Sequence, residues 1–129
     1  MVKGLIAVVL SVFFSSCSLF TESDYRLFRV EVDSLNVPSS ISQNDTLPIW
    51  LYGIVGTNGC YSFSHFEAER ETYKLMLSVW GRWTKATACP DVMVYLHEKY
   101  SVFPLPPGFF YIEIQQPDGS TLMDTVIVR

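Results

Sequence analysis

Apolar and polar positions alternate with period two along most of this chain, the pattern of β-strands that bury one face. Phe28, Val30 and Val32 alternate with Arg29, Glu31 and Asp33. Leu47, Ile49, Leu51, Gly53 and Val55 form one face of a second run; Trp50, Tyr52 and Ile54 make its other face apolar too, which predicts a central strand. Tyr73, Leu75, Leu77 and Val79 alternate with Lys74, Met76 and Ser78, and Val92, Val94 and Leu96 with Met93, Tyr95 and His97. Phe110, Ile112 and Ile114 lie opposite Tyr111, Glu113 and Gln115. The turn signal Pro117-Asp118-Gly119-Ser120 then sends the chain back along Thr121 to Val128 as a closing hairpin.

Breaker clusters separate these runs: Val37-Pro38-Ser39-Ser40, Gly56-Thr57-Asn58-Gly59, Gly81-Arg82-Trp83-Thr84 and Pro104-Leu105-Pro106-Pro107-Gly108. Phe66 to Leu75 holds Glu67, Ala68, Glu69, Arg70 and Glu71, which have good helix propensity. It lacks a C-terminal cap and runs into β alternation, so at most one short helical turn is expected. About seven strands at this spacing predict an all-β fold, an immunoglobulin-like or fibronectin-like antiparallel sandwich, with a small β-barrel as the alternative.

The first 17 residues have a different character. Lys3 is followed by the apolar stretch Leu5 to Phe14 and then by Ser15-Ser16-Cys17. That stretch is about ten residues, half of the roughly 20 a membrane-spanning helix needs, so it suits a cleaved export signal. Small residues before Cys17 are what a signal peptidase pocket admits. The segment resembles the lipobox of bacterial lipoproteins, with Phe14 where that family usually has Leu. The resemblance implies a signal peptide over residues 1–16, lipidation of Cys17, a tether over 17–24 and a folded body over 25–129. An ordinary secretory peptide cut nearby is the alternative. Two or more acyl chains anchor a protein stably, so no second membrane signal is required. Some lipoproteins of the Bacteroidetes type carry acidic residues just after the cysteine as a surface-export signal. Ser18-Leu19-Phe20-Thr21 lacks them, which implies an outer-membrane anchor facing the periplasm.

If lipid consumes Cys17, then Cys60 and Cys89 remain as an even pair in an oxidising compartment, where a disulfide is expected. Each lies beside a turn signal, so the bridge is expected near one end of the fold. A zinc site built from Cys60, His65, Cys89 and His97 has suitable residue types, but its spacing matches no standard module. Gly59-Cys60-Tyr61-Ser62-Phe63, then Ala88-Cys89-Pro90 and a Pro-Pro-Gly-aromatic strand, also look like segments of small bacterial envelope lipoproteins.

The formal net charge of −4 becomes −5 when residues 1–16, with Lys3, are removed, leaving 113 residues. Scattered Lys and Arg in an acidic chain give no footprint for nucleic acid. No nucleophile elbow, His-Glu-x-x-His, phosphate loop or Cys-x-x-Cys is present, so no catalytic residue and no cofactor are assigned. His65 alternates onto the face of Tyr61 and Phe63, and His97 is expected to face solvent. Glu67, Glu69 and Glu71 would align in a strand and could invite calcium, although the interleaved Arg70 and Lys74 favour a solvated edge.

Aromatics carry the remaining binding chemistry. A Trp80-Gly81-Arg82-Trp83 turn could set two indoles at one end of the fold, making Trp83, Trp80 and Arg82 the candidate ligand-binding residues. Trp50 and Trp80 are expected to fill the interior, leaving Trp83 exposed. Asp33-Ser34-Leu35, Asp45-Thr46-Leu47 and Asp124-Thr125-Val126 also resemble the O-glycosylation acceptor of Bacteroidetes envelope proteins. The expected role is that of a non-catalytic structural or protein-binding module in the envelope, with an envelope protein as partner; a glycan-binding accessory domain is the alternative.

Overall fold

Nine strands follow one another, with no helix among the described residues, 24–129, of the computed structural model. They are β1 (Tyr25–Arg29), β2 (Val32–Asn36), β3 (Ser40–Ile41), β4 (Leu47–Gly56), β5 (Tyr61–Arg70), β6 (Lys74–Thr84), β7 (Val94–Val102), β8 (Gly108–Gln115) and β9 (Thr121–Val128). The larger sheet has the order β1-β6-β8-β9-β3, with β5 also on β6, and the smaller sheet has the order β2-β4-β7. Both sheets are open, so the chain forms no closed barrel. The expected residue-17 lipid site lies outside the described residues.

One apolar cluster draws on both sheets. From the smaller sheet come Val32, Leu47, Ile49, Leu51, Val55, Leu96 and Val102; Leu75, Leu77, Val79, Phe110, Ile112, Ile114, Val126 and Val128 come from the larger. Leu47, Ile49, Leu51, Leu77, Phe110, Ile112 and Ile114 are fully shielded from water. These are the positions the period-two pattern selects, and β4 is central in its sheet as expected. Phe66 of β5 meets Tyr100 of β7 edge to face at 5.3 Å, linking the sheets along one side.

Tyr73 and Val92, expected on buried strand faces, lie outside β6 and β7 and are exposed, and the structure departs from the pattern at four further places. The alternation over residues 28–33 is two strands: β1 joins the larger sheet, and the chain crosses at Val30-Glu31 so that β2 joins the smaller. Residues 66–70 extend strand β5, because pairing with Leu75–Val79 outweighs the helix propensity of its glutamates. Gly81-Arg82-Trp83-Thr84 continues β6. Gly81 marks a close approach there: a side chain on it would meet Phe28 and Val30, at 2.5 and 2.9 Å from its Cβ. Finally, β6 with β8 and β3 with β9 are parallel, so the larger sheet is mixed, not purely antiparallel.

The crossing at Val32 leaves backbone groups that strand pairing cannot serve, and Gln116 serves them. The Val32 N–H donates to Gln116 Oε1 at 3.0 Å and Gln116 Nε2 donates to the Val32 carbonyl at 2.7 Å, both buried. Next to it the β2–β4 register shifts, and a Cβ on Gly53 would lie 2.6 Å from the Glu31 carbonyl oxygen. Only glycine fits there.

Cys60 and Cys89 form a disulfide across 29 residues, with Cα atoms 5.2 Å apart. It ties the start of β5 to the β6–β7 connection, and the Thr84 N–H donates to the Cys60 carbonyl at 2.9 Å. In the closing hairpin Gly119 takes a positive φ of 86°. The Ser120 hydroxyl and N–H donate to Asp118 Oδ1 at 2.6 and 2.9 Å, and these bonds hold the Asp118 carboxyl below its ordinary pKa.

Gln116→Ala is expected to lower stability in a urea titration by about 1–3 kcal/mol for each backbone group it orphans. Replacing both bridged cysteines by serine is expected to cost roughly 3.6 kcal/mol on the chain-entropy estimate. Asp118 contributes stability that is complete above the ordinary carboxylate pKa and fades as pH falls through its lowered value. Asp118→Asn should therefore lose stability at neutral pH and show a flatter acid limb when thermal midpoints are compared across pH.

Candidate functional site

The outward face of the larger sheet is organised by a single bulge. Pairing of β5 with β6 shifts between Phe63 and His65, so Ser64 is accommodated as an extra residue and the alternation changes phase. Tyr61 and Phe63 stay on the core side, whereas His65, Glu67 and Glu69 point outward. His65 therefore does not share a face with Tyr61 and Phe63, contrary to the unbroken alternation expected from sequence.

His65 lies opposite Trp80, and Trp80 lies opposite Arg29 on the other flanking strand. The imidazole stacks parallel to the indole at 6.1 Å, and the Arg29 guanidinium sits 5.5 Å from the indole centroid. Trp80 Nε1 donates to Glu67 Oε2 at 3.0 Å. Beside this row is a hollow of about 230 Å³ lined by Arg29, Glu67, Glu69, Met76, Ser78 and Gln115. Ser78, at 5% exposure, is its floor, because a small residue stands among long ones. The hollow offers a guanidinium, two carboxylates, a hydroxyl and an amide, a set able to hold the hydroxyls of a small polar ligand from several directions.

Trp80 and Trp83 are three residues apart on one strand, so they point to opposite sides of the sheet. Trp83 stands beyond the core at the tip of β6, partly exposed, with Arg26 5.9 Å from its ring. Arg82 points outward and lies 4.4 Å over Tyr25. The three candidate residues Trp80, Arg82 and Trp83 do not converge on one ligand position. Of the three, Trp80 alone contacts residues that line the polar hollow, Arg29 and Glu67, without lining it itself.

Trp50 is also outward, on the smaller sheet. It lies 5.0 Å from His97, which stacks on Tyr52 at 5.1 Å, and Lys99 caps Trp50 at 5.6 Å. Tyr52, Ile54, Tyr95 and His97 border a shallow hollow of about 460 Å³ on that face. Trp50 and Trp80 are thus not interior residues; cross-strand partners make their outward positions favourable. His97 faces solvent as expected. A third, open hollow of about 600 Å³ lies at the opposite end of the body, between Arg70 and the Phe103–Pro106 segment.

The disulfide removes Cys60 and Cys89 as zinc ligands. Glu71 lies past the end of β5 and pairs with Lys74 at 3.8 Å, so the three glutamates do not line up. Among the described residues no cluster of three or more His, Cys, Asp or Glu could hold a metal ion. Sequence reasoning missed Arg29, Glu67, Glu69, Ser78 and Gln115 as a group. They come from four strands, and only the β5 bulge and the junction of β1 with β8 on one edge of β6 bring them together.

No protein-family model matches the chain, and neither a curated protein nor a solved structure matches it.

Deleting Ser64 is expected to force either the Tyr61–Phe63 pair outward or His65 and Glu67 inward, since a one-residue slip exchanges the faces of a strand. Thermal unfolding should show a large loss of stability or no cooperative transition, whereas Ser64→Ala, which keeps the count, should unfold close to the parent.

Proposed function

We propose that the protein is a bacterial envelope lipoprotein of the Bacteroidetes type, held by acyl groups on Cys17 to the periplasmic side of the outer membrane. Its body, residues 25–129, is an immunoglobulin-like or fibronectin-like sandwich that acts as a non-catalytic structural or protein-binding module. The observation that carries this reading is the Cys60–Cys89 disulfide. It pairs two of the three cysteines, suits an oxidising compartment, and leaves Cys17 as the remaining sulfur for lipid. Two sheets sharing one core support the sandwich, and membrane attachment would raise the effective concentration of an envelope partner.

A glycan-binding accessory role is the second reading. The polar hollow beside Trp80 favours it, since an aromatic edge next to carboxylates, a guanidinium and an amide suits a sugar's hydroxyls and apolar ring. On this reading Trp80, with Arg29 and Glu67, is the binding residue, and Trp83 is not.

The native product is expected to show acylated Cys17 as its first residue by mass spectrometry, and Cys17→Ser should move it from the membrane to the soluble fraction. An unmodified, uncleaved start would overturn the anchor. Crosslinking in intact cells should then capture one recurrent envelope protein. For the second reading, saccharide binding on a glycan array should be lost in Trp80→Ala and Glu67→Gln and kept in Trp83→Ala.

A further inference from the structure

We infer that the tip of the larger sheet, formed by β1 and the C-terminal end of β6, is a membrane-contacting surface seated on anionic phospholipid headgroups. The anchor in this inference rests on the lipoprotein reading above; the surface rests on the structure.

Charge is segregated along β6. The chain is acidic, with a formal net charge of −4, yet Arg26, Arg82 and Lys85, three of its nine Lys and Arg, gather at this tip and outnumber the exposed Asp24 that adjoins Lys85. Among the described residues none of the three lies within ion-pair distance of a carboxylate. Cations at the opposite end are engaged: Lys74 pairs with Glu71 and Glu113, and Arg70 donates to the carbonyls of Pro104 and Glu71. Glu69, Glu71 and Glu113 lie toward that opposite end. An anionic surface therefore attracts the tip and repels the far end.

The tip also carries the apolar component of an interfacial contact. Tyr25 and Leu27 are 41% and 45% exposed on the outward face of the sheet, and Trp83 stands partly exposed on the opposite face at the same end, across from Arg26. Arg82 lies over Tyr25 and Arg26 over Trp83, so each cation is held against a ring while its outer N–H groups stay available to phosphate oxygens. Aromatic rings and long cationic side chains together are what the headgroup layer accommodates.

Reach selects this end. Seven peptide steps separate Cys17 from Asp24, a span of at most about 25 Å. β6 from Lys74 to Thr84 is roughly 33 Å long. The tether can set the Tyr25 end on the bilayer, but it is too short for the body to stand upright on its other end. The Asp24 carbonyl accepts from the Lys85 N–H at 2.7 Å, which fixes the start of the body at the cationic tip.

The test uses the native acylated protein in vesicles of phosphatidylcholine alone or with phosphatidylglycerol. Trp50→Phe with Trp80→Phe leaves Trp83 as the reporter. Its emission is expected to shift to the blue and lose accessibility to acrylamide only where phosphatidylglycerol is present. Arg26→Glu with Arg82→Glu should abolish the shift, each lost cation weakening the contact by roughly fivefold. Lys99→Glu, on the smaller sheet, should leave it unchanged. Should the double Phe variant fold poorly, hydrogen exchange of residues 25–29 and 82–85 in the unaltered chain gives the same readout. Acylated Cys17 with no dependence of either signal on lipid charge would overturn this inference alone. Unacylated Cys17 would overturn the lipoprotein reading and this inference together.

Discussion

A chain that passes from one sheet to another leaves backbone N–H and C=O groups in the interior with no neighbouring strand, and this body solves that problem with one side chain. The amide of Gln116 presents an acceptor and a donor to Val32 as a paired residue would. Burying those groups unpaired would be costly. Because Gln116 follows β8 directly, the same contact joins the start of the smaller sheet to the middle of the larger one. The β2–β4 pairing, the bare Gly53 beneath it and the entry of Val30 and Val32 into the core all follow from holding the chain at that point.

Much of the strand content was legible from residue order, because a buried face imposes period two and a run such as Leu47–Val55 satisfies it throughout. The core residues of β4, β6 and β8 are those the alternation selects. What stayed hidden was long-range. Nothing near Gln116 announces a partner 84 positions away. Gly81 looks like a breaker until Phe28 is seen above it, and Glu67 to Glu71 look helical until β6 is laid alongside. The outward site was less legible still, since Ser64 changes the phase of β5 without any local mark. Trp50 and Trp80 stand outside for a related reason: cross-strand neighbours that residue order does not show, His97 and Lys99 for one and His65 and Arg29 for the other, cover their rings.

The open edges of the two sheets carry features that disfavour strand addition. β7 borders the smaller sheet, and its Glu98, opposite Leu51, occupies a core-facing position. β5 borders the larger sheet and carries the Ser64 bulge along with exposed Glu67, Glu69 and Arg70. On β9, Asp124 takes the place opposite Ile112. Charges that point inward and irregular edges disfavour the addition of a foreign strand.

The pairing of β1 with β6 also has a mechanical consequence. β1 enters the body from the tip, so a force pulling Asp24 away from the body runs along the strand and nearly at right angles to its hydrogen bonds. Those bonds are strained together in shear and do not open one at a time like a zipper. The covalent staple beside Thr84 then limits how far any rupture spreads into β5, so the fold resists force best along one direction.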